Sequence, residues 1–430
     1  MSEFALPDTV NYGEQLSSLP KNTQCLNIAC APSNLQSATP GSQIYFDLIN
    51  RGFLDPQSMY LSYTYTLTSA VNAQMIGVPV YTPFNRVECS VASQTIDVIQ
   101  NYNIVMNTLI NSSHDVAQKY GLMAGYGYVG TGASTSTPLA NVPTLEQLDG
   151  RLMALNEVGT FAAPLLTILS GSEKLIPLGM MGAVRITLTV DSIANMFTSA
   201  VVPTGFTLSN LSLRYKVIEY GAEVDQAIRL ANPNGLTIKT QSFGSSSQNL
   251  NAGQTGYTEL IYNFRYSSIK SLIAVNGGNA LLSNKQFDSV DLTSGSGDYS
   301  FSVGGIIYPS KPLSTITNKA EILQELRSAM GSIFDKNNNC SINAVEYGFN
   351  STAATCTYQV MGKFYVATSL EKQIGSNSIL SGVSSSDSPI SYRINTSTSI
   401  GANQSTVTLI VNYDALIIVD PNSKQTVVKT

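Results

Sequence analysis

Alternation of apolar and polar residues with a period of two recurs along this chain and constrains its fold more than any other feature. In the segment SMYLSYTYTLT, Met59, Leu61, Tyr63, Tyr65 and Leu67 fall on one face and serines and threonines on the other. The same alternation returns in AVRITLTV, LSLRYKV, ELIYNFRY, DYSFSVGGIIY and TVTLIVNYDALIIVD, the last being one long bent strand or a strand pair. One buried and one wet face is typical of antiparallel strands. Because helices do not alternate with the strands, βαβ folds are disfavoured.

Two helical patterns interrupt the strands at similar points in the two halves of the chain. The first begins near Asn101, and its apolar positions follow helical spacing: Tyr102, Val105, Met106, Leu109 and Ile110. The second begins near Lys319, with Asn318 as a candidate N-cap and Glu321 three residues later. Its apolar stripe comprises Ile322, Leu326, Ala329, Met330 and Ile333. We expect each helix to close one end of a β-sandwich; two unrelated surface helices are the alternative.

The best internal boundary is RLANPNGL, residues 229–236, where proline and glycine flanked by asparagine separate two sets of strands. The 430 residues suit two domains of roughly 200 residues each. The sequence therefore predicts an N-terminal domain over residues 1–230 and a C-terminal domain over residues 237–430.

Charge is sparse and argues for a protein that lives in an assembly. Charged residues make up 12% of the chain, about half of the roughly 25% usual for soluble domains. A nearly neutral polar surface can be covered by another subunit at modest electrostatic cost. A neutral extracellular protein fits the same composition, although MSEFALPDTV lacks the features of a signal peptide. No apolar run approaches the 18 or so residues of a transmembrane helix.

Nucleic-acid binding by charge is not expected. The net charge is −5, from 23 basic and 28 acidic residues, and the first basic residue is Lys21. Residues 1–20 contain Glu3, Asp8 and Glu14 and no lysine or arginine. Each neutralised phosphate needs a cation, and no basic block supplies them.

No pattern in the sequence makes a convincing catalytic or cofactor site. GYGYVG, residues 125–130, spells GxGxxG, but a loop follows it where a dinucleotide site needs a helix. His114 is the single histidine, and the adjacent Asp115 is badly placed to orient it, which favours a surface or helix-capping role. We therefore predict no catalytic residues, no cofactor and no enzyme activity.

Two further patterns resemble metal sites. Cys25 and Cys30 lie close together, but a second pair of zinc ligands is missing. The segment from Asp335 to Glu346 places Asp335, Asn337, Asn339 and Glu346 at positions 1, 3, 5 and 12 of a calcium loop. A cysteine replaces the turn glycine and a strand pattern follows it, so a plain polar loop is favoured over weak calcium binding. We predict no metal site.

The order of these segments resembles the double-jelly-roll major capsid proteins of DNA viruses, the lineage of adenovirus, virophages and Polinton-like viruses. The resemblance runs from about Gln43 to Val428 and is carried by order rather than by any one string. The segments that carry it are GSQIYFDLINRGFLDPQSMYLSYTYTLT, PVYTPFNRVECSVASQTIDVIQNYNIVMNTLIN, LIPLGMMGAVRITLTVDS, GIIYPSKPL, GKFYVATSLEKQIGSNSILSGVSSSDSPISYRI and YDALIIVD.

The resemblance implies an all-β fold of two consecutive antiparallel eight-stranded jelly rolls, each with a short helix. It implies a major capsid protein that trimerises into pseudo-hexameric capsomers and tiles an icosahedral shell around a DNA genome. The partners implied are the chain itself, neighbouring capsomers, and penton and minor capsid or cement proteins, with no strong direct nucleic-acid binding. The localisation implied is the virion, assembled in the infected host cell.

Two other functional classes stay open on the sequence. A β-sandwich surface adhesin or vertex spike would carry a signal peptide, aromatic ligand pockets or a fibre repeat, and none is evident. A glycan-active enzyme would need two well-placed carboxylates. If the chain is a capsid protein, we expect the polar loops over residues 124–144 and 381–389 to form the exposed top of the capsomer.

Overall fold

The computed structural model describes most of the chain from residue 22 onward. The described residues are 22–114, 151–197, 202–251, 253–277, 287, 289–317, 319–330, 340–342, 347, 363–372, 380–397, 399–400 and 405–430.

Strands from the first half of the chain build two main sheets and a small separate pair. The strands are β1 (Gln24–Cys30), β2 (Ser37–Ala38), β3 (Gln43–Asp47), β4 (Phe53–Thr68), β5 (Ala73–Met75), β6 (Phe84–Val91), β7 (Gln94–Gln100), β8 (Arg151–Met153), β9 (Val158–Pro164), β10 (Val184–Val190) and β11 (Gly205–Glu219). One main sheet has the order β1-β11-β4-β9, with β2 also paired to β11, and the other has the order β3-β10-β6-β7. Strands β5 and β8 pair with each other.

Strands from the second half repeat this plan. They are β12 (Leu236–Leu250), β13 (Gly256–Tyr262), β14 (Ile269–Asn276), β15 (Gly297–Val303), β16 (Ile306–Ser314), β17 (Val366–Ser369), β18 (Ile390–Thr396), β19 (Ser405–Val419) and β20 (Thr426–Lys429). The sheet orders are β12-β19-β14-β17, with β20 added to β19, and β13-β18-β15-β16.

The two sets of sheets match strand for strand. Writing the eight main strands of each half in chain order as one to eight, both halves give a sheet 1-8-3-6 and a sheet 2-7-4-5. The ladders between these strands are antiparallel. This crossed order is that of a jelly roll, so the prediction of two consecutive antiparallel eight-stranded jelly rolls is confirmed. We call them the first roll and the second roll.

The predicted alternation is what buries each sheet. In β4 the five predicted apolar positions are all buried. Of the positions between them, Ser62, Thr64 and Thr66 are half-buried and Tyr60 is exposed. Tyr63 and Tyr65 pack against Phe161 of β9, edge-on and stacked respectively. Removing such side chains from water is the dominant favourable term in folding, and paired aromatic rings add to it.

Both predicted helices are present. Helix α1 spans Tyr102–Ser113, directly after β7. Two helices that the sequence did not indicate follow it, α2 (Ile193–Met196) and α3 (Ala222–Ala231). Helix α4 spans Lys319–Ala329, and Ile322 and Leu326 of its predicted stripe are buried. Asn318 and Ile333 lie outside the described residues. Because α1 follows the β6–β7 hairpin and α4 follows the β15–β16 hairpin, the two helices occupy matching places.

Three details differ from the sequence interpretation or complete it. The segment before the proposed boundary is not all strand, since α3 occupies Ala222–Ala231. None of its side chains is fully buried, but Val224 and Ile228 are half-buried four residues apart, a short apolar stripe that the sequence interpretation missed. The last apolar segment is one long strand, β19, rather than a strand pair. The segment 381–389 is only partly exposed, because Ser385 is buried and its backbone N–H donates to the Tyr266 carbonyl at 2.8 Å.

Candidate functional site

The two rolls meet where β7 of the first roll lies against β12 and β19 of the second. Asp97 on β7 is 7% exposed, and its two carboxylate oxygens accept hydrogen bonds from the hydroxyls of Ser242 and Tyr413, each at 2.7 Å. The backbone N–H groups of Val98 and Ile168 also bond this carboxylate. A buried carboxylate is tolerated only when donors surround it, so this cluster fixes how the rolls dock.

Burial dominates the electrostatics of this cluster. It raises the pKa of Asp97 above its usual value, against the opposing effect of the Ser242 and Tyr413 hydroxyls. It also raises the pKa of Tyr266 to about 12, and the Tyr266 ring stacks on Tyr413 with centroids 3.8 Å apart. Both tyrosines are therefore neutral near pH 7, and Tyr413 donates its hydroxyl to Asp97 while its ring stacks on Tyr266.

Close backbone approach extends the junction along β12. The hydroxyl of Thr240 donates to the Ile168 carbonyl, and the hydroxyl of Ser245 donates to the Gln100 carbonyl. At Gly171 a Cβ atom would overlap the Gln241 carbonyl oxygen, so the contact requires glycine at this position.

Helix α1 lies inside the molecule rather than on it, which changes the role expected for it. Its polar face is buried as well as its apolar stripe. The Asn107 amide donates to the Phe287 carbonyl of the second roll at 3.1 Å, and the Ser112 carbonyl accepts from the backbone N–H of Ser341 at 2.7 Å. The Asn103 amide donates to Asp191 at 2.9 Å. The helix therefore contacts both rolls and does more than close the end of one.

A cleft of about 420 Å³ opens beside the junction. Both rolls line it, with Glu173 and Lys174 from the first and Lys239 and Leu380 from the second. Lys239 Nζ lies 3.7 Å from a carboxylate oxygen of the fully buried Asp414. These charged residues belong to the same junction between the rolls.

Each strand of the junction has a counterpart whose outer side is exposed. By position in the matched sheets, β16 corresponds to β7, and β1 and β11 correspond to β12 and β19. On β16, Ile306 and Ile307 are 59% and 39% exposed. On β1, Leu26 and Ile28 are only half-buried. Large exposed apolar side chains on a strand edge mark a surface that another chain can cover.

Among the described residues, those weighed as possible chemical sites do not come together. His114 ends α1, where its backbone N–H donates to the Ile110 carbonyl and its Nδ1 lies 2.8 Å from the Ser113 hydroxyl, as expected of a helix-end residue. Cys25 and Cys30 are free thiols on β1. The GxGxxG string, the loop 124–144 and most of the segment from Asp335 to Glu346 lie outside the described residues.

The described ranges contain neither a cluster of metal ligands nor a helix that could span a membrane. No group of three or more histidine, cysteine, aspartate or glutamate side chains in these ranges is placed to hold a metal ion. No helix in the same ranges is long and apolar enough to cross a membrane.

The sequence pointed to the strands of this junction but not to the junction itself. Asp97 gave no signal because it is one carboxylate in an alternating strand, and its partners lie 145 and 316 positions away. The only available hint was the Ser/Thr-rich composition of β12, whose small hydroxyl side chains suit a close polar contact.

Comparison with known proteins gives a consistent result at the level of fold. No protein-family model matches the chain. No curated protein matches it either. Among solved structures, the Faustovirus major capsid protein matches 97% of this chain and 93% of its own, with a TM-score of 0.65 and 8% identity.

Two further structures agree over similar lengths. PBCV-1 VP54, fitted into a reconstruction of the virophage Sputnik, matches 97% of this chain and 99% of its own, with a TM-score of 0.62 and 10% identity. The mavirus major capsid protein matches 100% and 95%, with a TM-score of 0.53 and 10% identity. The order of strands and the extent of these matches agree, and the chain has the double-jelly-roll fold of viral major capsid proteins.

Proposed function

We propose that this chain is a major capsid protein that acts by geometry and not by catalysis. Three copies form a pseudo-hexameric capsomer, and capsomers tile an icosahedral shell around a DNA genome in the virion, assembled in the infected host cell. The fold shared with the Faustovirus and mavirus proteins supports this function, as does the sparse charge of the chain. We further propose that the two rolls correspond to domains 1–230 and 237–430.

One observation supports the proposal of a trimer. Within the chain, β7 of the first roll meets β12 and β19 of the second, whereas the matching strands β16, β1 and β11 have no such contact among the described residues. If β16 of one copy packs on β1 and β11 of the next, the same roll-to-roll contact repeats around a ring. Such a head-to-tail contact closes only at the right rotation, and three copies give six rolls.

The chemistry of the exposed strands suits a permanent contact. Ile306 and Ile307 on β16 would meet the half-buried Leu26 and Ile28 on β1. Obligate interfaces are more apolar than transient ones and bury from about 2,000 Å² upward. We therefore expect a trimer that does not dissociate at micromolar concentration.

Light scattering on the purified protein tests the trimer. The wild type should have three times the 46.0 kDa mass of one chain, and negative-stain images should show hexagonal particles. Changing both Ile306→Asp and Ile307→Asp should give folded monomers, because two buried carboxylates at the contact would lack partners.

Leu230→Asp is the matched control, because Leu230 is 74% exposed on α3, away from β16 and β1, and this variant should remain a trimer. A wild type that is monomeric at micromolar concentration would contradict the proposal. A double variant that still forms trimers would contradict the assignment of β16.

Contact with the genome is proposed to fall to other proteins, because the 23 basic residues are outnumbered by 28 acidic ones. Penton and minor capsid or cement proteins are the further partners that this function implies. Titration of trimers with duplex DNA at low salt tests the first point, since charge is least screened there. Micromolar binding that weakens steeply with added salt would show that the fold sorts its basic residues onto one face.

A further inference from the structure

The outer faces of the sheets β3-β10-β6-β7 and β13-β18-β15-β16 carry the same side-chain chemistry at the same positions. The match covers two rows of three residues that lie directly opposite one another across neighbouring strands. The first row reads Asp47, Arg185, Ser90 in the first roll and Glu259, Arg393, Ser300 in the second. The second row reads Tyr45, Thr187, Glu88 in the first roll and Tyr257, Asn395, Asp298 in the second.

The charged pair at the centre of each face has similar geometry in the two rolls. Arg185 donates to Asp47 through Nε at 2.6 Å and through Nη2 at 3.2 Å. Arg393 donates to Glu259 through Nε at 3.0 Å. The Asp47 pKa is lowered chiefly by its bond from Arg185, and the Glu259 pKa is lowered first by Ser391 and then by Arg393. Both carboxylates are therefore charged at neutral pH.

Both faces are accessible in the single chain. In the first roll the side chains of Asp47 and Arg185 are 46% and 48% exposed. The second face is less open: Glu259 and Arg393 are 33% and 24% exposed and Ser300 is buried, whereas Tyr257 at the end of the second row is 59% exposed. The Arg185 guanidinium lies 5.2 Å from the centre of the Tyr45 ring, so the arginine is held over the face rather than extended into solvent. The first face is slightly concave and forms an open depression of about 330 Å³.

Stability of the rolls does not explain this repetition. Inward-facing positions repeat because each sandwich needs a packed core, but outward-facing positions are free to differ. Exposed ion pairs contribute little to stability. A common partner that meets both faces in the same way accounts for the match.

In the proposed ring the rolls alternate, so six such faces surround each capsomer. The contacts within the ring use β7, β16 and the strands of the other sheets, which leaves these outer faces available. Each face carries both signs of charge and is therefore complementary to another copy of itself, with the arginine of one face opposite the carboxylate of the next.

We infer that these duplicated faces are the contact between neighbouring capsomers, with a second copy of this chain as the partner. The inference rests on the proposed function. The face of the first roll and the face of the second roll are interchangeable in this contact, as a lattice of pseudo-hexagonal tiles requires.

Two variants of opposite charge test this contact. The acidic variant combines Arg185→Glu with Arg393→Glu, and the basic variant combines Asp47→Lys with Glu259→Lys. Each should form trimers in light scattering, because none of the four side chains is fully buried and none lies at the proposed contacts within the ring. Each alone should lose assembly into sheets or shells by about tenfold or more, measured by turbidity and electron microscopy, because like charges then face each other.

Mixing the two variants in equal amounts should restore assembly, since acidic faces then meet basic faces. Lys424→Glu is the control: Lys424 is exposed between β19 and β20, outside these faces and outside β1, β11 and β16, and this variant should assemble as the wild type does. Normal assembly of either variant alone, or no recovery on mixing, overturns the inference. Loss of the variant trimers also overturns it, by placing the faces inside the capsomer. A wild type that is itself monomeric would instead refute the proposed function.

Discussion

The contact between the two rolls and its exposed counterpart are built from matching strands but opposite chemistry. Where β7 meets β12 and β19, the contact is polar and centres on Asp97 with the hydroxyls of Ser242 and Tyr413. The counterpart strands β16 and β1 carry the exposed Ile306 and Ile307 and the half-buried Leu26 and Ile28 instead.

The difference follows from whether a contact joins two parts of one chain or two separate chains. A contact between rolls of one chain is closed at high effective concentration, so it needs little apolar area and can use polar groups that demand one geometry. A contact between separate chains must also offset the entropy of association, which apolar burial does best. In the proposed trimer, the polar contact sets the angle between the rolls of one chain and the apolar contact supplies the affinity between chains.

The largest loss of stability is expected from Gly171→Ala, a substitution at the contact between the two rolls. Its methyl group would overlap the Gln241 carbonyl, which belongs to the backbone of β12 and cannot move aside as a side chain can. We expect a loss of about 3 kcal/mol in the free energy of unfolding, the upper end for overpacking. Denaturant unfolding measures it.

Gly205→Ala is the control for this substitution, because a Cβ there lies 3.4 Å from the Thr68 side chain, and it should cost far less. Equal costs for the two substitutions would show that the rolls are not held in close backbone contact at Gly171.

A pair of matched tyrosines tests the polar cluster next. Tyr413 pairs with Ser242 across β19 and β12, and Tyr215 pairs with Ile28 across β11 and β1, so the two lie on corresponding strands of the two rolls. Tyr413→Phe removes a donor from a buried carboxylate and should cost about 1.5–3 kcal/mol. Tyr215→Phe removes only an acceptor for the Ile49 backbone N–H and should cost about 1 kcal/mol.

Calorimetry or denaturant unfolding of both variants gives the comparison directly. If Tyr413→Phe is no more costly than Tyr215→Phe, the Asp97 cluster does not stabilise the junction as described.

Much of the fold was predictable from the sequence because it depends on local periodicity. The alternation in β4, β10 and β11 and the stripe of α4 follow from which residues must face the core. The polar face of α1 was misleading, since Asn103, Asn107 and Asn111 are buried against other polar groups and not exposed.

The functional surfaces were not predictable in this way. The junction joins residues 145 and 316 positions apart, and no period in the sequence relates them. The duplicated outer faces are visible only once strand register is known, because the two rows combine residues from three strands in each roll.

A smaller change in stability is expected when the pH is raised, because Asp97 then loses its proton. Burial raises its pKa in the folded protein above the unfolded value, so the protonated form is favoured on folding. The stabilisation is therefore fully present below the unfolded pKa, about 3.9, and is lost as the pH rises through the raised folded pKa. Asp97→Asn cannot titrate and should lack this component.

The measurement is the difference in melting temperature between the wild type and Asp97→Asn from pH 4 to pH 8. As the pH rises, the melting temperature of the wild type should fall relative to that of Asp97→Asn. The pKa of Cys89, which neighbours Asp97, is also raised by burial, so its thiol stays neutral over this range and does not confuse the result. A constant difference would mean that the surrounding donors fully compensate the charge of Asp97.

The smallest effect on stability is expected from the arginines of the duplicated faces. Arg185→Ala removes an exposed ion pair and Arg393→Ala a half-buried one, and ion pairs at the surface contribute about 0–1 kcal/mol. Both variants should unfold within about 1 kcal/mol of the wild type and within error of each other. This outcome would separate the faces from the junction, since Tyr413→Phe is expected to act on stability and the arginines are proposed to act between capsomers. A clear loss of stability in either arginine variant would give the repeated pair a role inside its own roll and remove the reason to seek a shared partner.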